Sequence, residues 1–87
     1  MNNLFTIISA AAAANPAGFT YNVEQNGMQA SGYAVALQCT QNSFGVDGLE
    51  NVISVVTSGT SGASCIGGWL DSETGLYYFD ATVIFDD

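Results

Sequence analysis

The chain has 87 residues, eight of them Asp or Glu and none of them Lys, Arg or His, for a formal net charge of −8 at pH 7. That length bounds it to a single domain, 1–87, near the lower end of what buries a self-sufficient core. Without bases it offers no imidazole, no Schiff-base or phosphate-binding lysine, no arginine finger and no cations to displace counterions from a nucleic acid, so neither an enzyme nor a DNA or RNA binder is expected.

In chain order, residues 3–14 come first. Leu4, Ile7, Ile8 and Ala11 recur at i, i+3, i+4 and i+7 and predict a helix, with Asn2 or Asn3 as N-cap and Asn15 before Pro16 ending it. An apolar core followed by small residues also resembles a signal peptide, but the basic n-region is missing, and the run is far short of the roughly 20 residues a membrane span needs. The expectation is an uncleaved helix in a soluble, cytoplasmic chain with no membrane partner.

Phe19, Tyr21 and Val23 alternate with Thr20 and Asn22 as a half-buried strand does, and Asn26-Gly27 signals a two-residue type I′ turn. A plain hairpin of that kind sets Tyr21 opposite Gly32 and Phe19 opposite Ala34, which sends Tyr33, Val35 and Leu37 to the wrong face. One unpaired residue at Ser31-Gly32 restores them, opposing Tyr21 with Tyr33 and Phe19 with Val35. A bulge is therefore expected at Gly32, in a second strand that ends at Cys39.

From Gly45 to Ser58, Val46, Leu49, Ile53 and Val56 share a helical face, with Asp47 as cap and Glu50 as its N3 carboxylate. The β-branched residues there favour a strand, but alternation fails at Val55-Val56, so a helix is predicted. "SGTSGAS" follows as a connector. Two strands then flank Asp71-Ser72-Glu73-Thr74-Gly75, where Asp opens the turn and Gly supplies the left-handed residue. Gly67-Gly68 marks a bulge or a close approach, and Tyr77, Phe79, Ala81, Val83 and Phe85 form an apolar face. The fold class is α+β: an antiparallel sheet of about four strands in two hairpins, two helices on one face, order α-ββ-α-ββ.

Two groups are candidate binding residues. Gln41, Asn42, Ser43 and Phe44 form a loop of amides and an aromatic that suits a peptide or sugar, unless it is only a helix cap and a core Phe. Trp69, Tyr77 and Tyr78 form a binding face or simply pack the sheet. Cys39 and Cys65 read as small buried hydrophobes, as a disulfide closing the crossover, or as a reactive thiol that lacks any cation to activate it. Two cysteines do not make a structural metal site, and Asp71 to Gly75 offers two carboxylates where calcium takes about six oxygens, so no metal and no cofactor is expected. Asp86-Asp87 reads as a frayed acidic end, and paired carboxylates for sugar hydrolysis have no matched pair to name.

Eight acids are ordinary usage for this length, so the chain is base-free rather than acid-rich. A nucleic-acid mimic needs closely spaced carboxylates, and a salt-adapted surface needs them throughout. Replacement of bases by neutral residues fits better, because Ala, Ser and Asn stand where helices are usually charged. "GYAVALQCTQNSFG", then a helix, then "GGWLDSETGLYYFDATVIFDD" resembles a small domain of phage and mobile-element proteins from gut bacteria, including large polyvalent phage proteins. The likeness runs from about Gly18 to the C-terminus and rests on Gly32-Tyr33-Ala34-Val35, Gln41-Asn42-Ser43-Phe44-Gly45 and Gly67-Gly68-Trp69. It brings no catalytic residue. Such sequences are rich in Lys and Glu and continue past the equivalent of Asp87, which implies a recoded, shortened version with an exposed sheet edge. The expectation is a non-catalytic folded domain, engineered or recoded without bases on a phage-type frame. The alternative is a natural acidic phage protein that binds and inhibits a basic host protein, such as a nuclease or defence complex. Self-association through a sheet edge is the other expected contact.

Overall fold

The computed structural model describes residues 3–29, 32–40, 42–59 and 61–85. Helix α1 spans Asn3–Ala14, as the periodicity predicts. Ile8 is fully buried, Leu4, Phe5 and Ala12 pack beside the core, and Ala13 and Ala14 face solvent. Asn15 ends the helix by donating its side-chain amide to the Ala11 carbonyl at 2.9 Å, while its own carbonyl accepts the Tyr77 hydroxyl at 2.7 Å. That second bond ties the helix end to the sheet. Asn2, a proposed cap, lies outside the described residues, and Asn3 is already helical.

Two helices on one face of an antiparallel sheet give the α+β class expected, but among the described residues the sheet has six strands rather than about four, and four of them precede the second helix, so the order is not α-ββ-α-ββ. These are β1 (Phe19–Asn22), β2 (Gly27–Met28), β3 (Tyr33–Ala36), β4 (Ser43–Phe44), β5 (Cys65–Leu70) and β6 (Tyr77–Phe85). The spatial order is β2-β1-β5-β6, with β3 and β4 sharing the far edge of β6. Helix α2, Gly45–Thr57, buries Leu49, Val52, Ile53 and Val56 against Tyr21, Ile66, Phe79 and Ala81. At Gly48 the helix backbone comes so near β4 that an added Cβ would lie 2.5 Å from the Ser43 carbonyl carbon. Asp47 is not the helix cap. Extended Phe44 holds that position without a side-chain hydrogen bond, and Asp47 lies in the first turn, where its charge favours the helix dipole.

The first hairpin departs most from expectation. Asn26 takes the left-handed conformation at φ 56°, but the turn is a four-residue loop from Val23 to Asn26, in which the Gln25 N–H donates to Asn22 Oδ1. Among the described residues, Gly27 and Met28 return along β1, and the Gln29 N–H extends the return by donating to the Thr20 carbonyl at 2.9 Å. Tyr33 to Ala36 pair instead with β6 across the sheet, Tyr33 with Phe85 and Val35 with Val83. The parity conflict is thus resolved by a change of partner, not by a bulge against β1: opposite β6, Val35 shares a face with Val83 and Ala81. Ser31 of the expected bulge lies outside the described residues. Gly32 does take a positive φ, 94°, and a Cβ there would stand 2.6 Å from Ile84 Cγ2. Cys39 belongs to a 3-10 turn, Gln38–Thr40, and not to a strand.

The β5–β6 hairpin follows the sequence reading. Asp71 Oδ1 accepts the Glu73 N–H at 2.9 Å, and Gly75 supplies the left-handed residue at φ 74°. No bulge interrupts β5, whose register against β6 is continuous from Cys65–Thr82 to Leu70–Tyr77. Gly67-Gly68 answers to close approach instead. An added Cβ at Gly68 would meet the Phe19 ring at 2.6 Å, and one at Gly67 would meet Asp80 Oδ1 at 2.7 Å.

Candidate functional site

The helices cover one face of the sheet, and strand alternation sends Trp69, Tyr78, Asp80 and Thr82 to the other. One end of that second face is closed by Gln29, which follows β2. Its Oε1 accepts the Asn22 side-chain amide at 2.8 Å and the Cys65 thiol at 3.7 Å, and Asn22, Cys65 and Thr82 are buried there. Burial pushes the Cys65 thiol pKa up; a Ser64 hydrogen bond works against that rise and the Glu24 charge adds to it. Cys65 is buried and Cys39 exposed, and the two are not bridged.

The other end of the face is open, and there the two separate candidate groups meet. Phe44 lies opposite Tyr78 in the β4–β6 pair, with ring centroids 5.4 Å apart, and Trp69 lies opposite Tyr78 in the β5–β6 pair, stacked at 5.4 Å with planes 16° apart. Phe44 is therefore no core residue; it is 45% exposed, and Trp69 is 44% exposed. Tyr77 goes to the opposite face. It packs on Phe19 and Phe79, and burial raises its hydroxyl pKa. Ser43 is buried and accepts the Asn51 side-chain amide at 3.3 Å, Asn42 is exposed at φ 66°, and Gln41 lies outside the described residues, as do Asp86 and Asp87.

Asp80 joins this row two residues beyond Tyr78. Its Oδ1 accepts the Thr82 hydroxyl at 2.6 Å, and across the strand pair it faces Gly67, so no side chain from β5 covers it. Two hollows of about 480 Å³ each flank the spot, and both are walled by Ala36, Trp69 and Asp80. Sequence reasoning missed Asp80, and it marked Gly67 for a close approach without naming Asp80 as the neighbour. The signal was available: if Tyr77, Phe79 and Ala81 face the core, then Tyr78, Asp80 and Thr82 must line the other side. An aromatic row beside a half-buried carboxylate stacks on planar or apolar groups and attracts cations.

Among the described residues, no group of three metal-ligating side chains comes together and no helix is long and apolar enough to cross a membrane. No protein-family model, curated protein or solved structure matches the chain.

Proposed function

We propose that this chain is a non-catalytic binding domain that holds a basic protein partner on the open end of its sheet. The observation that carries the reading is the convergence of Phe44, Tyr78, Trp69 and Asp80 on a face that no helix covers. Charge supports it: at −8 with no base, the whole molecule draws in a cationic partner. Cys39 and Cys65, unbridged, fit a reducing, cytoplasmic setting. Titration with a hexa-arginine peptide, followed by calorimetry, tests the reading. Binding at low salt is expected, weaker in about 0.2 M salt as the charges are screened, and lost in a Phe44→Ala/Trp69→Ala double variant. No binding at low salt, or equal binding by the double variant, would overturn it.

A second reading, a base-free recoding of a phage-type frame, draws on the helices. Ala13, Ala14, Asn51, Ser54 and Ser58 are all exposed and all uncharged. Ala12, in the same alanine run, departs from that pattern and packs against the core.

A further inference from the structure

Resting on the binding-domain reading, we infer that the hollow between Trp69, Tyr78 and Asp80 is a pocket for a single arginine side chain of the partner. Three features of the hollow select that group. Its wall carries two aromatic rings in adjacent strands, whose π-electrons attract a cation, and a planar, weakly hydrated guanidinium packs on aromatic rings better than a compact ammonium does. Beside the rings stands a carboxylate, with one oxygen fixed by the Thr82 hydroxyl at 2.6 Å and with Gly67 in place of a covering side chain. A guanidinium carries several N–H donors in one plane, and it meets that carboxylate while its face lies on the rings. Ala36, Gln38 and Asn42 are among the other residues that line the hollow. The alanine leaves room for the alkyl stem, and the two amides suit the backbone of the segment that carries it.

Charge complementarity decides against a neutral occupant such as a sugar. The chain contains no Lys, Arg or His to pair with Asp80, so any cationic side chain that pairs with it belongs to another molecule. Thr82 is a positioning residue here, since its hydroxyl aims the carboxylate and its side chain is buried below the surface.

Trp69 is the single tryptophan, so its fluorescence reports on the pocket directly. The probes are three blocked tripeptides, acetyl-Gly-Xaa-Gly-amide, with Xaa arginine, lysine or citrulline; citrulline keeps the shape of arginine and lacks the charge. Saturable quenching by the arginine peptide is expected, with the lysine peptide several-fold weaker and the citrulline peptide at least about tenfold weaker, the scale of one charge-assisted hydrogen bond. Asp80→Asn still accepts the Thr82 hydroxyl, so the fold is kept while the charge is removed, and it should weaken the arginine peptide by about the same factor. Equal binding of citrulline and arginine, or an Asp80→Asn variant that binds arginine unchanged, would overturn the pocket. Binding of methyl glucoside that Asp80→Asn leaves intact would overturn it in favour of a neutral stacking ligand. If hexa-arginine still binds while the arginine tripeptide does not, the basic-partner reading stands and the arginine pocket falls; if neither binds, both fall.

Discussion

Strand β6 pairs with β3 through Thr82 to Phe85 and with β4 through Tyr78 and Phe79, so the Ala81 amide falls in the gap between them. The Thr40 hydroxyl fills that gap. It accepts the Ala81 N–H at 2.9 Å and donates to the Leu37 carbonyl at 3.2 Å, while the Leu37 N–H returns to the Ala81 carbonyl at 2.8 Å. Thr40 is fully buried, so no water can substitute for its oxygen. Thr40→Val keeps the shape and strands a buried amide, which should lower the unfolding free energy in urea by about 1–3 kcal/mol, whereas Thr40→Ser should lose much less. A Thr40→Ser variant that loses as much as Thr40→Val would show that the methyl group matters as much as the hydroxyl, and one that loses more would show that the methyl carries the stability. None of this is legible in "LQCTQNS", where a Thr after a strand reads as one more turn residue. Its partner lies 41 positions away, and only the fold brings them together.

The elements themselves were more legible than their neighbours in space. The extents of α1 and α2, the turn at Asp71 to Gly75 and the start of β5 at Cys65 follow from period and turn chemistry, whereas the cap read at Asp47 does not hold. The pairing of Tyr33 to Ala36 does not, because alternation fixes which face a strand presents but says nothing of which strand lies beside it. The face conflict at Asn26-Gly27 was the available warning, and it admitted two solutions, a bulge or a new partner. For the candidate site the limit was the same. Phe44 and Trp69 were both visible as residues of interest, but their meeting at Tyr78 depends on β4 pairing with β6. The neutral helix surfaces lead to a sharper expectation. Neither helix carries a basic residue in its last turn, so the carbonyl end of each dipole has no cation near it. Ala14 ends α1 and is exposed. Ala14→Lys should therefore raise the unfolding free energy by about 0.3–1 kcal/mol at low salt, fading as salt is added, and Ala14→Glu should lower it. A lysine variant no more stable than the parent at low salt would mean that the helix end is already satisfied by Asn15 and Tyr77.

Across the whole molecule every charged side chain at pH 7 is negative, so repulsion between copies is strong there and falls as the carboxylates take up protons towards pH 4. The surface left behind is not inert. Among the described residues, strand β3 has a strand partner on one side only, and its four residues are all exposed, with Tyr33 at 64% and Val35 at 48%. It carries no lysine, proline or inward charge of the kind that guards strand edges. Light scattering should rise steeply between pH 7 and pH 4 by edge-to-edge pairing of β3. Two lysine variants separate that cause from simple loss of charge. Val35→Lys and Ser54→Lys change the net charge by the same amount, but one sits on the open edge and the other on the exposed face of α2. At pH 4 the Val35→Lys protein should stay dispersed while Ser54→Lys associates like the parent. If the two behave alike, association follows net charge alone, and the edge of β3 has no special part in it.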